Sequence, residues 1–389
     1  MKPTVQRYEA LDVLRGLTII IMALDHSRDF FALGYVYFAP TDIAITNIEV
    51  FLTRWITHFA APTFMFLAGI GLYFASGRRT KAELAKLAFT RGLWLIFLEL
   101  TLVGFFWSFT PEFIYKPKIA VLFAIGISMI FMAALIYLPK WAIATIALTM
   151  IFAHNAFDYV DPQSFSSYAW LWYLTHEPGH FNIGSFQVNV IYPFVPWIGV
   201  MALGYLFGPV TKLARVERKK VLFNTGLGLL TFGLLLRFTN LYGDPVLWSK
   251  QVDFTTTLMS FLNFTKYPPS LVYLAVLLGL LMILMSMLDR NLGKWSHPLR
   301  DFGQVPFFFY VLHLPLLHLG GIALALMVYG DASWLYGTPR GHSPEGYSYG
   351  SELAPTYIAW FLVVLILYYP SRWFAELKKN RKDWWLSYL

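Results

Sequence analysis

The sequence contains no cysteine. That excludes disulfide bonds, a thiolate zinc site and an acyl-cysteine intermediate. Charge is also scarce: 13% of the 389 residues are Asp, Glu, Lys or Arg, against 57% hydrophobic and 19% aromatic. Together with a mean hydropathy of +0.55, this excludes an ordinary soluble domain and indicates a polytopic membrane protein. There is no glycine-rich phosphate loop. HEPGHF, with His176 and His180, is read as part of the aromatic segment 157–187, and no metal is expected. No internal repeat, low-complexity tract or sizeable soluble insert interrupts the apolar stretches, and residues 1–389 read as a single transmembrane domain. The net charge of +8 would suit nucleic acid. The basic residues are spread over short loops, however, which points to membrane topology and leaves nucleic acid out as a partner. Lys2 and Arg7 precede an apolar run that carries charges and lacks a small-residue cleavage site, so that run is expected to stay as the first span.

What is present is a series of hydrophobic segments. Ten are expected to be helices: 10–33, 47–76, 84–109, 119–138, 140–156, 188–210, 220–240, 269–289, 303–329 and 355–375. The fold class is therefore read as all-α, a membrane helix bundle. Alternate loops carry the cations, among them Arg78, Arg79 and Lys81, then Arg215, Arg218, Lys219 and Lys220, while 157–187 has no Lys or Arg. The positive-inside rule then places both termini in the cytoplasm, with 157–187 outside. A bacterial cytoplasmic (inner) membrane is the expected location.

The costliest stretch is Tyr8–Leu33. After the run Leu17–Leu24 come Asp25, His26, Arg28 and Asp29. Asp25 lies ten residues beyond Arg15, roughly 15 Å of helix, about half of a bilayer core. Ionisable groups at that depth mark a functional cavity, unless they merely neutralise one another along the helix. His58 sits at a similar depth in the second helix. Pro62, four residues later, deprives the His58 carbonyl of its helical donor, so that carbonyl must find another. Asp25 and His26 point about 100° apart, so a carboxylate–imidazole pair would be Asp25 with His58 or His26 with Asp29. The first is preferred. Either would orient an imidazole as an acyl-transfer base or nucleophile.

Arg15, Arg78, Arg79 and Arg91 gather at the inner ends of the first three helices. They suit a polyphosphate such as the ADP end of coenzyme A, or simply anchor the loops. Glu99, midway along the third helix, is expected to pair with an arginine. Trp170 and Trp172 in the aromatic outer segment, and Trp334, Tyr336, Tyr347 and Tyr349 in another, are interface anchors or sugar-stacking rings. With Arg28 and Asp29, Trp170 and Trp172 form the candidate acceptor-binding set. Pro193, Pro196, Gly199 and Gly204 would bend the sixth helix and let neighbours approach closely. His313 and His318 beside Pro315 read as helix packing.

The string RYEALDVLRGLTIIIMALDH resembles the start of the membrane acetyltransferase family of heparan-α-glucosaminide N-acetyltransferases, with Arg15–Gly16 and Asp25 on the positions of its motif. HFAAPTFMFLAGIGLYF resembles that family's second helix, and YPFVPWIGVMALGYLFG a later helix of bacterial relatives. The resemblance implies an acetyl-CoA-dependent enzyme. It departs in one respect: the lysosomal enzyme's catalytic histidine lies in the loop after the first helix, and 34–47 here has none. His26 and His58 are the substitutes, chosen by depth. The expected activity is transfer of acetyl from cytoplasmic acetyl-CoA to an amine or hydroxyl of an envelope glycan, with Asp25, His26 and His58 catalytic. The rival is a proton-coupled transporter or flippase using the same buried charges. Expected partners are membrane lipid, acetyl-CoA, a carbohydrate acceptor and a second copy in a homodimer.

Overall fold

The computed structural model describes residues 8–32, 41–337, 349–350, 352–381 and 383–388. Tyr347, and residues 33–40 of the loop after the first helix, lie outside them. The chain opens with α1 (Glu9–Phe31), whose first turn carries Glu9 and Asp12, where the helix dipole favours negative charge. The second predicted helix is broken into α2 (Ile48–Thr57) and α3 (Ala60–Ser76). Pro62 accounts for the break, and the Tyr273 hydroxyl donates to the stranded His58 carbonyl at 2.8 Å. Thr80 then starts α4 (Lys81–Leu98) with a capping box. Glu83 completes it by accepting the Thr80 backbone N–H at 2.9 Å.

A π-helical turn at Glu99–Val103 leads into α5 (Gly104–Ser108) and α6 (Glu112–Tyr115). Such turns bulge one residue out of the helical ladder, here the buried Glu99. Among the described residues it pairs with no arginine. Its carboxylate accepts the Leu122 and Phe123 N–H groups at 2.7 and 3.3 Å, capping α7 (Val121–Leu135).

The remaining helices are α8 (Lys140–Phe152), α9 (Ala169–Thr175), α10 (Val195–Phe207), α11 (Arg215–Thr239), α12 (Phe254–Leu262), α13 (Leu271–Leu288), α14 (His297–Gln304), α15 (Pro306–Tyr329) and α16 (Ala354–Asn380). Every predicted segment thus holds a helix. Among the described residues, six stretches are long and apolar enough to cross a membrane: 48–76, 81–108, 215–239, 271–288, 306–329 and 354–380. The all-α expectation needs one correction. Among the described residues three short strands, β1 (Lys118–Ile119), β2 (Gly179–Ile183) and β3 (Phe186–Val190), form a sheet of order β1-β3-β2. Gly184, at φ 58°, makes the tight β2–β3 turn. Pro193 and Pro196 delay the following helix to Val195, so the stretch read as helical from 188 begins as strand.

Helices cross at facing glycines. A Cβ on Gly16 would stand 1.8 Å from the Leu299 carbonyl oxygen, and one on Gly303 1.7 Å from that of Asp12. Hence α1 and α14 touch backbone to backbone. The glycine after Arg15 in the sequence motif is there for that approach. Gly69 of α3 and Gly204 of α10 make a second such crossing, at 2.0 and 2.1 Å from opposing carbonyl oxygens, as the small residues of the sixth segment foretold.

Candidate active site

The residues that follow the apolar run of α1 are held in an ionic cluster. Arg54 of α2 donates to both Asp25 oxygens, at 2.8 and 2.6 Å, and the Thr57 hydroxyl donates to Oδ1 at 3.0 Å. Arg28 lies 3.2 Å from Asp25 and 3.3 Å from Asp29, and Lys266 reaches Asp25 at 4.0 Å. Three cations thus face two carboxylates, an excess of positive charge that suits an anionic ligand or intermediate. Helix-internal neutralisation by Arg28 accounts for part of this cluster. Arg54 and Lys266 come from other elements.

Lys266 is delivered by the segment between α12 and α13. The fully buried Arg237 at the end of α11 fixes the start of that segment by donating to the Asn263 carbonyl and to those of Ser260 and Phe261 in the last turn of α12, and it also reaches the Val246 carbonyl before α12. One guanidinium thus serves four carbonyls.

The preferred pairing of Asp25 with His58 is not formed. The Asp25 carboxylate is taken by stronger cationic donors, and the His58 Nδ1 is buried with no hydrogen-bond partner. His26 does not bond Asp29 either. Its Nδ1 lies 2.7 Å from Nε2 of His313, and the two rings stack at 5.0 Å. The tautomers follow from the neighbours. His313 Nδ1 is 2.6 Å from the Tyr310 carbonyl, which can only accept, so Nδ1 carries the proton. In a neutral His313 ring, Nε2 then accepts from His26 Nδ1–H. The His26 Nε2 keeps its lone pair, which is the form a general base needs. Proline at 315 made His313 look like a packing residue. His318 does pack, with its ring 4.1 Å from that of Phe109 and its nitrogens on the Phe106 and Leu335 carbonyls.

Two cavities meet at these groups. The larger, about 400 Å³, has Asp25, His26 and Lys266 at one end and Arg15, Arg91 and Lys378 among its walls, with Met22, Phe64 and Met129 between. The smaller, about 290 Å³, shares Asp25 and His26 and continues past Arg28 and Asp29 to Glu99, Lys116 and Lys118. Among the described residues, His58 lines neither cavity, although it lies beside the cluster. Arg78 and Arg79 stand exposed past the end of α3, outside the larger cavity's walls. Trp170 and Trp172 are on α9, where Trp172 stacks on Phe165 at 4.8 Å, and neither lines either of these two cavities. Arg54, Lys266, His313 and Lys378 were not among the sequence candidates. Arg54 carried one available signal: it precedes His58 by one helical turn, inside an apolar segment.

The architecture, a bundle of apolar helices around a buried ionic cluster joined to two cavities, is that of an integral membrane protein with an internal site. A family model described as "Heparan-alpha-glucosaminide N-acetyltransferase, catalytic" matches residues 7–234, and the chain belongs to that family. The match covers more than half of the chain, including α1 to α10 and with them Arg15, Asp25, His26 and Arg54. No curated protein matches the sequence. Membership makes this a membrane acetyltransferase in general class, in a family that uses acetyl-CoA as co-substrate, and it does not favour the transporter alternative.

Proposed function

We propose that the protein moves acetyl from cytoplasmic acetyl-CoA to an amine or hydroxyl on the far side of the membrane, on a glycan of the bacterial envelope. The observation that carries this is the meeting of two cavities at Asp25 and His26. A donor and an acceptor arriving from opposite ends would both reach the His26 ring. In this reading ten spans put both termini in the cytoplasm. The Arg15, Arg91 and Lys378 end then receives the nucleotide phosphates. The apolar middle of the larger cavity accommodates the pantetheine arm.

The chemistry asks for a base and for stabilisation of negative charge. His26 Nε2 takes the proton of the acceptor as its nitrogen or oxygen bonds to the acetyl carbon. The carbonyl oxygen becomes an oxyanion beside the surplus cations Arg54 and Lys266. The carbon–sulfur bond then breaks, and the leaving thiolate takes the proton back from His26. His313 positions the His26 ring and fixes its tautomer. Asp25 holds Arg54 and Lys266 in place and does not touch the base.

The test is acetyl-CoA turnover by purified protein with an amino-sugar acceptor, alongside direct binding of acetyl-CoA and CoA. His26→Ala should lose roughly 10²–10⁴ in rate, the range for a general base. His58→Ala, away from the cavities, should retain turnover. Normal turnover in His26→Ala would overturn the imidazole mechanism, and absence of acetyl-CoA binding by the wild type would overturn the donor assignment.

A further inference from the structure

His154, just past α8, and His176, at the end of α9, come from separate parts of the chain and meet with their rings 4.2 Å apart. Asp158 completes a group of three whose ligand atoms all lie within 4.8 Å of one another. Both histidines are about 95% buried, each with a relative exposure of 5%. The Nε2 atom of each has no hydrogen-bond partner. A buried ring nitrogen without a partner is costly unless something else occupies its lone pair.

We propose that His154, Asp158 and His176 are a binding site for a divalent transition metal, zinc by its donor set. Two imidazoles and one carboxylate are borderline ligands that suit zinc and leave a fourth, open position for water. The spacing fits. Ligands about 2.1 Å from a tetrahedral ion lie roughly 3.4 Å apart, and Asp158 Oδ1 already stands 3.5 Å from His176 Nε2. Small side-chain rotations draw the third ligand in.

An outer shell supports the ligands. The Asn155 amide donates to Asp158 Oδ2 at 2.7 Å, leaving Oδ1 toward His176. The Asn155 oxygen is itself fixed by the Leu271 N–H at 2.8 Å. Ligating carboxylates are commonly oriented by such second partners. Bound there, a metal would tie α9 and the aromatic segment around it to the end of α8 and the start of α13. In a chain without cysteine it would supply the cross-link that a disulfide cannot.

The experiment uses full-length protein in detergent with any affinity tag removed. The protein is stripped with chelator, reloaded with zinc or cobalt(II), and desalted. Metal analysis of the wild type should give about one zinc per chain, and cobalt should produce the visible bands of a four-coordinate site. Zinc should also raise the melting temperature of stripped protein. Asp158→Asn and His176→Gln, which preserve size, should lose stoichiometric metal and the zinc-dependent shift. A wild type that retains no zinc after desalting, or variants that retain it undiminished, would overturn the site. Should the variants fail to fold, the wild-type metal content and cobalt spectrum decide alone. None of these readouts depends on acetyl transfer.

Discussion

Arg54→Met tests whether the ionic cluster is a coupled unit. Arg54 makes two short hydrogen bonds to Asp25, and side-chain exposures of 12% and 13% leave little water to replace them. Breaking a buried pair by removing one partner typically costs about 3–5 kcal/mol, because the other charge is stranded. Asp25 keeps Arg28 at 3.2 Å, Thr57 at 3.0 Å and Lys266 at 4.0 Å, so the lower end, about 3 kcal/mol, is expected. Asp25→Asn alone should also destabilise, since it leaves three cations facing one another with Asp29 as the remaining carboxylate.

The double variant removes one charge of each sign and should cost less than the sum of the two, by roughly 1–3 kcal/mol. Equilibrium unfolding of purified protein in mixed detergent micelles measures all four corners of the cycle. Additivity within about 0.5 kcal/mol would refute the argument, and would mean that Asp25 is held by Arg28 and solvent alone.

Gly303→Ala would drive a methyl group into the Asp12 carbonyl oxygen, 1.7 Å from the ideal Cβ. Overpacking usually costs about 1–3 kcal/mol. Here the obstacle is backbone, so a loss at or above that range is expected in a thermal melt, and an unshifted melt would refute the close crossing. If the cations of the larger cavity hold coenzyme A phosphates, Arg15→Ala should weaken acetyl-CoA binding by about 1.5–3 kcal/mol. Arg15→Lys should recover only part of that, whereas Arg78→Ala, outside the cavity walls, should have little effect; calorimetric titration separates the three. Tags at Met1, Lys81 and Leu389 should be protected and one near Ser166 accessible in intact cells. A protected tag at 166 would overturn the ten-span topology and the opposed access of donor and acceptor.

Composition and periodicity alone pointed to a membrane protein, to a helix in each of ten apolar segments, and to the charges late in α1 as costly groups in need of partners. Those features are local: they depend on the run length a bilayer demands and on the expense of an ionised group at depth. The family was legible for the same reason, since LRG, the apolar run and Asp25 lie on one helix. The partners were not. Asp25 faces Arg54 from α2 and Lys266 from a loop pinned by Arg237, His26 faces His313 from a helix 287 residues further on, and Glu99 caps α7. Adjacent positions such as Asp25 and His26 diverge on the helix, so which neighbour each finds depends on helix crossing and rotation. Those are set by backbone contacts at Gly16, Gly303, Gly69 and Gly204. Likewise the meeting of His154 and Asp158 with His176 was not legible in the sequence, because the turn after α8 and the segment around α9 bring them together only in three dimensions.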